Sequence, residues 1–90
     1  MREKAIVVSN KMGLHARPAA ILVQTTSKYQ SVVKILKDNF EVDAKSIMGI
    51  MALAAGHGSE LKFIANGPDE NEVIIAIESL FNSNFSEWEL

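Results

Sequence analysis

Glu60-Leu61-Lys62-Phe63-Ile64-Ala65-Asn66-Gly67-Pro68-Asp69-Glu70 is the stretch that decides the fold. Its first seven residues alternate, with Leu61, Phe63 and Ala65 on one face and Glu60, Lys62 and Asn66 on the other, the pattern of a strand with one dry face. Pro68-Asp69 then opens a helix, with Glu72 three residues after Asp69 as a capping-box partner. Val73, Ile74, Ile77, Leu80 and Phe81 give that helix one apolar stripe. A strand that is dry on one side only belongs to an antiparallel sheet whose other side is wet, and the helix is its cover.

The rest of the chain reads the same way. Ala5–Val8 is β-rich and runs into the punctuation Ser9-Asn10-Lys11 before Gly13. Pro18 suits the first turn of a helix reaching about Ser27, with Ala19, Leu22, Val23 and Thr26 on its apolar side. Ser31–Leu36 and Phe40–Val42 flank Lys37-Asp38-Asn39 as a hairpin. Ser46 opens a short helix that Gly56 or Gly58 should close with positive φ. The expectation is one α+β domain over residues 1–90, in the order βαββαβα. Residues 82–90 form a C-terminal extension, polar apart from Phe85, Trp88 and Leu90. A packed tail and a frayed one both agree with that composition.

Composition excludes several classes. No apolar run approaches about 18 residues, so no transmembrane helix is expected. The start carries no signal-peptide pattern, which points to the cytoplasm. Without cysteine there is no disulfide framework, thiolate zinc site or thiol nucleophile. A net charge of −2 argues against a sequence-independent grip on nucleic acid. The charge is unevenly spread: residues 1–45 hold eight basic and four acidic side chains, and residues 46–90 one basic and seven acidic. No carboxylate lies between Glu3 and Asp38, where Lys4, Lys11, Arg17, Lys28, Lys34 and Lys37 all fall. These lysines are either an ordinary solvated set or a positive face that attracts an anion or an acidic partner.

Two histidines are available. His57 lies between two glycines, with no carboxylate or second histidine near it in sequence, the setting of a surface loop and not of a metal ligand. His15 stands just ahead of a helix, in Gly13-Leu14-His15-Ala16-Arg17-Pro18. It is either a helix-entry residue or a nucleophile. A helix start offers amides and partial positive charge to an anion. Arg17 adds a planar fork of donors that matches phosphate oxygens. The same positive surroundings favour a neutral, nucleophilic imidazole. Attack on a phosphoryl group, with the product held by amides and Arg17, is coherent chemistry.

Gly13-Leu14-His15-Ala16-Arg17-Pro18-Ala19 is similar to the active-site signature of the HPr family, the histidine-containing phosphocarriers of the sugar phosphotransferase system. Ala44-Lys45-Ser46-Ile47-Met48-Gly49-Ile50-Met51 resembles the regulatory-serine block of the same family, at the family's spacing. The resemblance runs from residue 1 to about 82 and includes the turn Asn66-Gly67-Pro68-Asp69-Glu70. It implies an open-faced β-sandwich, a four-stranded antiparallel sheet covered on one face by three helices. It further implies a phosphoryl carrier and not an enzyme, needing neither cofactor nor metal. His15 would be phosphorylated through Nδ1 and Arg17 would stabilise the phosphoryl group. Enzyme I would be the donor and enzyme IIA domains the acceptors. Position 12, often small and polar in the family, is Met12 here, so any cap or phosphate contact from that side chain is absent.

Ser46 is an ordinary N-cap on its own residues. Its resemblance to the site of HPr kinase/phosphorylase adds a regulatory phosphorylation, after which a catabolite-control transcription regulator is a further implied partner. Both roles are compatible at a helix start. Leu14, Ala16, Ala20, Ile47, Met48, Gly49 and Met51 are expected to form a docking surface, on which methionines adapt to several partners; the alternative is that Leu14, Ile47, Met48 and Met51 are core. Monomer is the default state. Two other functions compete: a module of the same fold that serves a nitrogen-linked relay or reports only through the serine, and a small phosphohydrolase or mutase. The latter lacks a second histidine, a cysteine or a carboxylate cluster near residue 15.

Overall fold

The computed structural model describes residues 1–85, so Trp88 and Leu90 of the expected extension lie outside the described residues. The elements are β1 (Arg2–Val7), α1 (Ala16–Thr26), β2 (Val32–Lys37), β3 (Phe40–Asp43), α2 (Ile47–Ala52), β4 (Glu60–Asn66) and α3 (Glu70–Asn82). The order is the expected βαββαβα. All strand pairs are antiparallel and the sheet runs β1-β4-β2-β3. The decisive strand β4 is therefore central. Its Leu61, Phe63 and Ala65 are fully buried and meet Val33 and Ile35 of β2 under the helices. The α3 stripe of Val73, Ile74, Ile77, Leu80 and Phe81 is buried as expected.

Three local expectations fail for identifiable reasons. β1 begins at Arg2 and not Ala5, because its charged half pairs with β4 as an edge strand. Charged side chains belong on an edge, where they discourage pairing with another chain. Glu3 there meets Lys62 at 3.0 Å, and Lys4 reaches Glu78 of α3 at 3.3 Å.

α2 is closed neither by Gly56 nor by Gly58. Amides of Leu53 and Ala54 fold back on Ile50 and Met51, and Ala54 itself takes φ +51. Gly58, at φ +87, serves the next turn, where its amide donates to the Val8 carbonyl at 2.8 Å.

Asp69 forms no capping box. Its carboxylate accepts from the amides of Gln30 and Ser31, each at 2.9 Å, and from the Ser31 hydroxyl. The capping-type bond at this turn comes instead from Glu70, whose Oε1 accepts from the Gly67 amide at 3.1 Å.

The end of α3 is a Schellman motif. The Asn84 amide donates to the Phe81 carbonyl at 3.1 Å and the Phe85 amide to the Leu80 carbonyl at 2.8 Å, with Asn84 at φ +54. This is the double closure that satisfies the last carbonyls of a helix. Residues 82–85 thus finish α3 and are not a separate appendage. Phe85 is 2% exposed and packs edge-on against Phe81, with ring centroids 5.0 Å apart.

Candidate functional site

The loop ahead of α1 is a tight turn closed twice over. The Gly13 amide donates to the Asn10 carbonyl and the Asn10 side-chain amide to the Gly13 carbonyl, both at 3.1 Å. Gly13 adopts φ +70, and a Cβ there would stand 2.4 Å from the Ala55 carbonyl oxygen. Only glycine fits. The turn is pressed against the chain after α2, and Leu14 donates its amide to that same Ala55 oxygen at 2.9 Å.

This packing lifts His15 to the N-cap of α1, with extended backbone (φ −80, ψ −170) and an exposed side chain that makes no capping bond. Its carbonyl accepts the first helical bond, from Ala19 at 3.0 Å. Pro18 falls at the third helical position, where an N–H would have no partner inside the helix. The first-turn amides belong to Ala16 and Arg17, beside the imidazole.

His15 and Arg17 line one cleft of about 170 Å³, together with Lys11, Met12, Asn84 and Phe85. Lys11 and Arg17 are its charged walls, and no carboxylate lines it among the described residues. Pockets that bury a small-molecule substrate usually span about 300–1,000 Å³. This one has room for a phosphoryl group on a side chain.

Ser46 is the N-cap of α2, and its hydroxyl accepts from the Gly49 amide at 3.0 Å. It does not line the His15 cleft. α2 packs beside α1. Met48 is 84% exposed, with Ile47 at 44% and Met51 at 42%. Ala16 is exposed, and Ala20 and Gly49 are half-buried. Leu14 corrects the expectation: at 4% exposed it is a core residue, drawn inward by its amide bond to Ala55, and offers no docking surface. His57 sits exposed in its loop. Among the described residues no group of His, Cys, Asp or Glu could hold a metal ion, and no helix is long and apolar enough to cross a membrane.

Sequence reasoning passed over Asn10, Asn84 and Phe85.

Comparison with known proteins places the chain in one family. Residues 2–83 match the PTS-HPr family, described as the PTS HPr component phosphorylation site. The chain is 50% identical over 84 residues to the phosphocarrier protein HPr of Treponema pallidum, covering 93% of this chain and 96% of that one. It is 48% identical over 77 residues to the HPr-like protein Crh of Halalkalibacterium halodurans, covering 86% and 92%. The crystal structure of HPr-C-His from Thermoanaerobacter tengcongensis superposes with a TM-score of 0.93 at 51% identity, covering 96% of this chain and 97% of that one. Family model, relatives and solved structures cover nearly the whole chain, and the chain belongs to the HPr family of phosphocarrier proteins of the phosphotransferase system.

Proposed function

We propose that His15 is the residue that carries the phosphoryl group, through Nδ1, taking it from phospho-enzyme I and delivering it to enzyme IIA domains. The observation that carries this reading is the placement of His15: an exposed imidazole at a helix N-cap, in a cleft walled by Lys11 and Arg17. The Nδ1 lone pair attacks phosphorus as the bond to the donor breaks. The added negative charge then lies beside the first-turn amides and the Arg17 guanidinium, which can bond two phosphoryl oxygens at once. One copy of the chain supplies every group named. On this reading the carrier works as a monomer in the cytoplasm, with no direct nucleic-acid role and no membrane insertion.

Ile47, Met48 and Met51, with Ala16, Ala20 and Gly49 at the margin, form the docking surface for successive partners. A small apolar surface beside basic groups suits brief contacts with acidic partners. Ser46 is both the cap of α2 and the substrate of HPr kinase/phosphorylase, and a catabolite-control transcription regulator is the reader of its phosphorylated form. A relay, and not a module that reports through the serine alone, is favoured by the presence of His15 and Arg17 in one cleft.

The test is incubation with enzyme I and phosphoenolpyruvate. A gain of one phosphate that is acid-labile and base-stable, and is absent from His15→Ala, supports the reading. The same gain in His15→Ala overturns it.

A further inference from the structure

The C-terminal cap of α3 and the loop that presents His15 touch through a side-chain bond between residues 75 positions apart. The Ser9 hydroxyl donates to the Asn84 side-chain oxygen at 2.7 Å. Asn84 is the left-handed residue of the Schellman motif, and Asn84 and Phe85 line the same cleft as His15 and Arg17. Behind them a row of edge-on aromatic contacts runs into the core: Phe85 to Phe81 at 5.0 Å, and Phe81 to Phe63 of the central strand at 5.7 Å. That wall is fixed to the sheet.

The loop facing it closes on itself between Asn10 and Gly13. Among the described residues two hydrogen bonds join it to the rest of the fold: the Leu14 amide to the Ala55 carbonyl, and the Ser9 hydroxyl to the Asn84 side-chain oxygen.

We propose that Ser9 and Asn84 are positioning residues, whose hydrogen bond pins the His15 loop to the core-anchored wall of the cleft and fixes the imidazole relative to Arg17. The proposal rests on His15 being the phosphoryl-carrying residue. Ser9 lies outside the cleft lining, and Asn84 gives its side-chain oxygen to Ser9. They act through the loop, so their loss lowers the fraction of molecules with His15 in the reactive geometry and leaves the α2 docking surface unchanged. Asn84 combines two roles, tolerance of positive φ and acceptance from Ser9, and these are separable. Asn84→Gly retains the first and removes the second.

The experiment compares wild type, Ser9→Ala, Asn84→Gly, the double variant and Ser9→Thr. Phosphoryl transfer from phospho-enzyme I is measured alongside the His15 imidazole resonances and Gly13 amide exchange. In each single variant kcat should fall about threefold to tenfold, the worth of one modest hydrogen bond, with KM unchanged. The double variant should fall no further, because both changes break the same bond. Ser9→Thr retains the hydroxyl and should restore the rate. Gly13 exchange should quicken, and the His15 resonances move, in both single variants. Wild-type rates and unmoved resonances, or losses that multiply in the double variant, would overturn the proposal. Absence of phosphate on His15 in wild type overturns the carrier assignment instead, and the two resonance measurements still report on the Ser9–Asn84 tie.

Discussion

The amide of Leu14 donates to the carbonyl of Ala55 across 2.9 Å, and this bond joins the loop before α1 to the loop after α2. It explains why Leu14 is buried although His15, its neighbour, is exposed. It also explains the demand on Gly13, which must pass under the same carbonyl.

Gly13→Ala should therefore be among the most damaging single changes outside the core. The added methyl meets backbone, which cannot swing aside, and the left-handed φ adds its own penalty. Together these cost about 2–4 kcal/mol. A urea unfolding curve should show the midpoint falling with little change in slope, and phosphoryl acceptance should fall further than stability alone accounts for.

Ser46 separates into a cap and a switch. Ser46→Ala removes the bond to the Gly49 amide and should destabilise by about 1 kcal/mol with little effect on transfer. Ser46→Asp retains a capping oxygen and adds negative charge beside Ile47 and Met48. It should leave the melting temperature near wild type and weaken binding of enzyme I. Raising the salt should recover part of that loss, since exposed charges are screened over about 10 Å at 0.1 M. Titrations at two ionic strengths check both, and equal binding by Ser46→Asp and wild type would leave Ser46 a cap only.

The joint between β2 and α3 should be acid-sensitive. The Ser31 hydroxyl first, then the Gln30 amide, holds the Asp69 carboxyl below its ordinary value of 3.8. A carboxylate lowered by folding contributes stability above that value, and the contribution is lost as pH falls through the folded-state value. Glu70 acts in the same direction, held down by the N-terminal ammonium and then by the Gly67 amide. Thermal unfolding of wild type should drop more steeply with acid below about pH 4 than that of Asp69→Asn. Parallel curves would remove Asp69 from the acid response.

Legibility of the sequence tracked the range of the interaction involved. The β4 alternation, the α3 stripe and the Ser46 cap rest on residues within one element, and each stands as read. Asp69 was misread because its partners, Gln30 and Ser31, lie nearly forty positions away, and a tertiary bond overrode the local capping pattern. Leu14 was misread for the same reason. The left-handed Ala54 breaks the rule that glycine ends a helix, since the chain is tied at Ala55 before a glycine is reached. At the site, His15 and Arg17 were legible because two residues of spacing at a helix start fix them on one end of it. The far wall, Asn84 and Phe85, was hidden by a fold that returns the end of the chain to its beginning.

Arg17 should matter to transfer more than to folding. Arg17→Lys retains the charge and loses the planar pair of donors, so its rate should fall between wild type and Arg17→Ala. Single-turnover transfer from enzyme I orders the three, and equal rates would exclude Arg17 from the chemistry.

The most direct test of the carrier assignment is the location of the phosphate. After brief reaction with enzyme I and phosphoenolpyruvate, phosphorus and nitrogen resonances of the intact protein should show one phosphoramidate, on Nδ1 of His15, that is lost in acid and stable in base. His15→Ala should show none and unfold like wild type. A phosphoramidate that persists in His15→Ala, with His57 as the remaining histidine, would contradict the assignment.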